Sequence, residues 1–246
     1  MTKEIEKWWN EASRCYQEDN KMPQKSAHYG PYAPDENELK LLGNVRDKKI
    51  LEIGCGGGQC SIAFAKEMAK CTGIDISEEQ LKFARELAKK NKVSVKFIKG
   101  DIQTLKGIKS NDFDIVFSAW ALQYVPDLTK CFKEVYRVLK KKGIFVFSLN
   151  HPFNSIFYDK KPEIKRSYFK TGKDVEVEIW PDGKKHIFVQ YNRKLSDIYQ
   201  SLMDANFFVE KIIEPLKIRK DYWEKDFPLS MAKLFPSTII FKTIKK

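Results

Sequence analysis

The sequence predicts an α/β protein built on an open, doubly wound sheet, mostly parallel, with helices on both faces. Three observations carry that reading. An apolar run, Ile50 to Ile53, breaks into four glycines within five residues and resumes as Ile62, Ala63, Ala65 and Met68 at helical spacing. Strand-like and helix-like stretches then alternate to about residue 150, the pattern of parallel strands joined by right-handed crossovers. An acid, Asp75, closes the second apolar run 21 positions after Gly54, close to the interval seen in doubly wound folds.

The 246 residues suffice for one large domain, and 42% hydrophobic content is a globular value. The net charge of +12 is spread evenly, +6 over residues 1–150 (26 basic, 20 acidic) and +6 over 151–246 (19 basic, 13 acidic). An even spread argues against a localised nucleic-acid surface. Five cysteines without a Cys-x-x-Cys pair suggest neither a disulfide framework nor a zinc site, and reduced thiols fit the cytoplasm. No apolar stretch approaches the roughly 18 residues of a membrane span.

Residues 1–45 read as a helical lead-in, with Ile5, Trp8, Trp9, Ala12 and Tyr16 forming an apolar face toward the core. His28-Tyr29-Gly30-Pro31-Tyr32-Ala33-Pro34 is a loop, and Glu36 to Leu42 a short helix. The first strand runs into the glycine turn. Glycine allows positive φ and close ligand approach, and the N-terminus of the next helix presents N–H groups and a positive dipole end. The second strand, Cys71 to Ile76, ends at Ser77, which with Gln80 forms a capping box for the helix Glu78 to Asn91. Asp75 stands where a carboxylate accepts hydrogen bonds from ribose hydroxyls.

The third strand is Val95 to Ile98, then Gly100-Asp101-Ile102. The fourth, Phe113 to Ser118, leads into Ala119-Trp120-Ala121-Leu122-Gln123-Tyr124. Leu128 to Leu139 is an amphipathic helix, with Gly143 as its C-cap and Lys140-Lys141-Lys142 as its solvated end. The fifth strand is Ile144 to Leu149, followed by Asn150-His151-Pro152-Phe153. Residues 153–192 carry an alternating run, Val175 to Ile179, a turn at Pro181-Asp182-Gly183 and a second run, Ile187 to Val189: an inserted β-hairpin. Arg193 to Asn206 is a helix, Phe208 to Ile213 the sixth core strand and Ser237 to Thr243 the seventh. The irregular stretch Lys217 to Pro236 is a candidate pocket wall.

The glycine turn is not the Gly-x-Gly-x-x-Gly of dinucleotide dehydrogenases. It reads Glu52-x-Gly54-x-Gly56-x-Gly58, with Gln59 where the last glycine of that fingerprint would fall. It resembles the first motif of class I S-adenosylmethionine-dependent methyltransferases, of the broad type 11 group, and the resemblance extends over residues 45–150. The resemblance implies a Rossmann-like sheet of seven strands, the last antiparallel. It implies residues 46–152 as the cofactor-binding core and, within the helical lead-in of residues 1–45, a lid for which a plain surface loop is the equal alternative; residues 153–192 fit no core element of that fold and read as a cap over the substrate side, with 193–246 completing the core.

For the cofactor, S-adenosylmethionine, leaving as S-adenosylhomocysteine, the resemblance implies Glu52, Gly54, Cys55, Gly56, Gly58, Asp75 and Ile76. Asp101 and Ile102 fall at the adenine and Ser118 at the methionine end. Tyr29, Tyr32, Trp120, Gln123 and Tyr124 are candidate acceptor contacts. Methyl transfer from a sulfonium is an in-line displacement that needs a base only when the acceptor is protonated; His151 and His28 are the candidates, each equally readable as an ordinary loop histidine. No metal is expected. The expected acceptor is a metabolite nucleophile at O, N or C; RNA or protein is the alternative, and a non-catalytic cofactor-binding protein a further one. Monomer and homodimer stay open.

Overall fold

The computed structural model describes residues 2–157, 161–180, 183–217, 224 and 227–246. Among them, α1 (Thr2–Asp19) and α2 (Glu36–Leu39) precede β1 (Lys49–Ile53), α3 (Gln59–Lys66), β2 (Lys70–Asp75), α4 (Glu78–Lys90) and β3 (Val95–Lys99). Then come β4 (Phe113–Ala119), α5 (Leu128–Val138), β5 (Leu139–Asn150), β6 (Gly172–Ile179) and β7 (Lys185–Asn192). The chain closes with α6 (Leu195–Asp204), β8 (Phe207–Ile213), α7 (Leu229–Ala232) and β9 (Thr238–Lys245). Short 3₁₀ turns follow β4 and β5, at Leu122–Tyr124 and Pro152–Ile156.

Among the described residues the main sheet has seven strands in the order β3-β2-β1-β4-β5-β9-β8, and β6 and β7 form a separate antiparallel hairpin. β1 pairs parallel with β2 and with β4, whereas β9 runs antiparallel between β5 and β8. This is the expected Rossmann-like sheet with its antiparallel last strand and inserted hairpin. Alternation along each central strand shows why both faces are covered. Leu51, Val116, Phe147 and Phe241 join one buried cluster with α5 and α6, while Ile50, Phe117, Val146 and Ile240 join the other, with α2 and α3.

Several boundaries move. α5 stops at Val138, because Leu139 already pairs with Phe113 in the sheet. Gly143 is therefore no helix C-cap. The left-handed residue is Lys142 (φ 62°), inside an irregular start of β5, and Lys140 is tied to Asp114 at 2.8 Å rather than solvating a helix end. α2 ends at Leu39 because Lys40 turns left-handed. On α1, Ile5 and Ala12 are buried as expected, but Trp8 and Trp9 are only partly buried and face cavities, not core. The turn at Pro181 and Asp182, Tyr158, and much of 217–226 lie outside the described residues.

Candidate active site

Strand order switches between β1 and β4, so the loops after those strands diverge and leave a crevice at the carboxyl edge of the sheet. The cleft found there is lined by Glu52, Gly54, Cys55, Gly56, Asp75, Ile76, Asp101 and Ile102, with Ala119, Trp120 and Tyr124 from the loop after β4. Local sequence explains the shape. Gly54 sits at φ 67°, and a Cβ there would fall 2.2 Å from that of Ala121, so only glycine lets the two loops touch. The α4 cap holds, with Ser77 Oγ accepting from Gln80 N at 3.1 Å. The other half of the expected capping box does not form, because Ser77 N donates to Asp75 Oδ1 at 2.9 Å instead.

The two acids of the cleft are buried. Asp75 accepts from Gly56 N at 2.8 Å as well as from Ser77 N, and burial raises its pKa. Glu52 accepts from Ser61 N at 2.7 Å and from the Ser61 hydroxyl. Burial pushes it up to about 8. Loop N–H groups are largely spent within the protein: Gly54 and Cys55 donate to Ile74 O of β2, Gly56 to Asp75 at the end of β2 and Gly58 to Cys55 O. The expected cradle of N–H groups for a ligand is correspondingly narrower.

α1 covers this cleft, contributing Ile5, Trp9, Tyr16 and Gln17 to its lining. Gln17 lies over the glycine loop in a chain of buried amides: Gln59 Nε2 donates to Gln17 Oε1 at 2.6 Å, and Gln17 Nε2 to Gln80 Oε1 at 2.7 Å. Gln80 Nε2, buried and without a partner, ends the chain at the cleft. A second cavity of about 670 Å³ adjoins the first and shares Trp9, Tyr16, Trp120 and Tyr124 with it. Its other walls come from Trp8 of α1, Trp180 and Phe188 of the hairpin, Asn154, and the segment around Phe227.

The sequence candidates separate accordingly. Trp120, Gln123 and Tyr124 line the second cavity. Gly58 takes φ 77° as N-cap of α3 and is not among the lining residues. Ser118 turns its hydroxyl back to Ile53 O at 2.9 Å, leaving Ala119 and Trp120 as the residues of that strand end that face the cleft. Tyr29 is wholly buried in the core, its hydroxyl on Glu36, and Tyr32 donates to Phe227 O at 2.6 Å. The loop that carries them is packed down, and the covering element is α1. His28 lines the cleft, and burial lowers its pKa to about 4, so it is neutral at pH 7 and a weak proton acceptor. His151 lies elsewhere. Its Nε2 meets Glu214 at 2.8 Å and its Nδ1 accepts from Phe153 N at 3.2 Å as the cap of a 3₁₀ turn, so both nitrogens are engaged.

Trp8, Trp9, Tyr16 and Gln17 were not legible as site residues, because an apolar helical face reads as core whether it meets a sheet or a cavity. Nor was the seating of Trp120, which takes φ 56° and lies over Gly30, where a Cβ would fall 2.1 Å from its Nε1. Among the described residues no group of three or more His, Cys, Asp or Glu is placed to hold a metal, and no helix is long and apolar enough to cross a membrane.

A cleft at the switch point, with acids at the ends of β1 and β2 and a glycine turn between them, defines the S-adenosylmethionine-dependent methyltransferase class. The chain belongs to the methyltransferase domain family, matching it over residues 44–203. A structure from Listeria monocytogenes described as an S-adenosylmethionine-dependent methyltransferase superposes with TM-score 0.67 at 25% identity, over 86% of this chain and 97% of that one. A Bacillus subtilis protein named as a methyltransferase is 28% identical over 69% of this chain and 71% of its own. A Coxiella burnetii ubiquinone biosynthesis O-methyltransferase is 30% identical over 61% of this chain and 60% of its own.

Proposed function

We propose that this S-adenosylmethionine-dependent methyltransferase acts on a small-molecule acceptor held in the second cavity. The observation that carries the reading is the shared border: Trp9, Tyr16, Trp120 and Tyr124 line both spaces, which puts an acceptor in the second cavity next to whatever the cleft holds. Relatives named for ubiquinone biosynthesis point to a small acceptor as well.

The cleft residues fit the cofactor's chemistry. Asp75, at the end of β2, would take ribose hydroxyls, and Asp101 and Ile102 the adenine amino group and ring. Glu52 and the glycine loop would hold the methionine end, with Ala119 and Trp120 beside it. The unpartnered Gln80 Nε2 is a donor for an oxygen or ring nitrogen of the bound molecule. When bound, S-adenosylmethionine supplies an electrophilic methyl on a sulfonium. The protein's part is placement: the aromatic border aligns the acceptor with that methyl and keeps water out, and alignment alone accounts for a large share of the barrier. Neither His28, which burial makes a weak proton acceptor, nor His151, with both nitrogens engaged, serves as base in this reading.

The test uses S-adenosylmethionine labelled in its methyl group, incubated with the protein and a cell extract split into metabolites, RNA and protein. Label is expected in the metabolite fraction. Label confined to RNA or protein overturns the small-molecule reading.

A further inference from the structure

The second cavity says what kind of acceptor it takes. This inference rests on the reading of that cavity as the acceptor site. Its volume of about 670 Å³ lies within the range of small-ligand pockets. One wall is a run of aromatic rings packed edge to face: Trp8 on Trp9 at 4.8 Å, on Trp180 at 6.0 Å and on Phe188 at 4.9 Å, with Tyr124 on Phe188 at 5.7 Å. Such a wall accepts a flat ring, and its π-faces attract cations.

Charge points the same way. The β6 strand alternates, putting Val175, Val177 and Ile179 outward and Glu176 and Glu178 on the cavity side. Both basic side chains of the lining are matched by acids: Lys165 lies 3.5 Å from Glu176, and Arg166 lies 2.8 Å from Asp174 with its Nε on Ser155 O. Glu178 takes Trp180 Nε1–H at 3.0 Å and, among the described residues, pairs with no cation. The lining thus holds a carboxylate without a countercharge.

Buried amides complete the picture. Gln123 is 5% exposed, and its Nε2 donates to Trp120 O at 2.8 Å, leaving Oε1 without a partner. Asn154 Nδ2 donates to Asn150 Oδ1 at 2.6 Å and to Ser237 O at 2.8 Å, leaving its Oδ1 unpartnered too. Flipping either amide would set oxygen against oxygen, so the network itself assigns both orientations. Two acceptor oxygens on residues of the lining are therefore left without donors, a costly state. The unpartnered buried donor of the lining is Trp8 Nε1–H, which a phenolic oxygen would satisfy.

We propose that the cavity takes an aromatic acceptor carrying a positively charged, hydrogen-bond-donating amine, and turns away carboxylates and phosphates. The test is a calorimetric titration of the protein saturated with S-adenosylhomocysteine, using two probes that share ring and chain length: tyramine and 4-hydroxyphenylacetate. Tyramine is expected to bind at least about tenfold tighter, and Glu178→Gln to reduce that ratio threefold or more, with an unchanged melting curve showing that the variant folds. Equal or reversed affinities, no binding of either probe, or a ratio unmoved in Glu178→Gln overturns the proposal. Label entering metabolites together with a preference for the carboxylate overturns this inference alone, whereas label entering only RNA or protein removes the reading beneath it.

Discussion

Glu52 shows how burial turns one carboxyl into a pH-dependent element of the site. Its folded pKa of about 8 stands above the ordinary 4.5, so the folded state binds the extra proton. Stability from that proton is fully present below about 4.5 and is lost as pH rises through about 8. His28 works in the opposite sense. Its folded value of about 4, below the ordinary 6.5, removes stability only as pH falls from 6.5 toward 4, which leaves the window above 6.5 to Glu52. The ligand-free protein is therefore expected to lose melting temperature from pH 6.5 to 8.5, and Glu52→Gln to flatten that slope; parallel slopes in a thermal-shift series would contradict the assignment. Both Glu52 and Asp75 were legible from their places around the glycine turn, since a strand end and a fixed interval put them at one edge. Ser118, expected to meet the methionine end through its backbone, keeps that role as a proposal while its side chain is tied down. Its hydroxyl found Ile53 O, a partner on the neighbouring strand that sequence order does not reveal.

At the scale of elements, α1 decides access to the cleft. Its hold on the glycine loop runs through the buried amides of Gln59, Gln17 and Gln80. Gln17→Ala leaves one buried donor and one buried acceptor without partners, a cost of roughly 1–3 kcal/mol per group. S-adenosylhomocysteine is expected to leave that variant several-fold faster in a stopped-flow displacement experiment, and an unchanged rate would mean that α1 does not latch the cleft. The helix itself was legible from spacing. Its facing was not, because Trp8 and Trp9 would look the same whether buried under a sheet or set beside a cavity. The end of α5 shows the reverse error: Leu139-Lys140-Lys141-Lys142-Gly143 has the local chemistry of a helix stop, yet pairing of Leu139 with Phe113 recruits the segment into β5.

For the whole molecule, the charge of +12 shows no concentration along the chain, while the lining of the second cavity carries an unmatched acid. Turnover of the extracted metabolite fraction is accordingly expected to change by less than about twofold between 50 and 200 mM salt. A loss of about 10³-fold or more over that range would be the mark of phosphate contacts and of a nucleic-acid acceptor. The second cavity is assembled from segments remote in the chain, among them α1, the loop after β4, the 3₁₀ turn after β5, the segment around Phe227, and the β6–β7 hairpin folded back against α1.

The order of strands and helices, the glycine turn, and the acids at 52 and 75 were legible in the sequence alone, because each depends on local periodicity or on an interval of about twenty residues, while Asp101 was legible through the family resemblance. The tertiary structure decided what lies against what. It packed Tyr29 into the core, engaged both nitrogens of His151, held His28 neutral, and brought Trp8, Trp180 and Glu178 to one wall. Burial and contact between residues far apart in the chain set those outcomes, and neither is written in any local pattern.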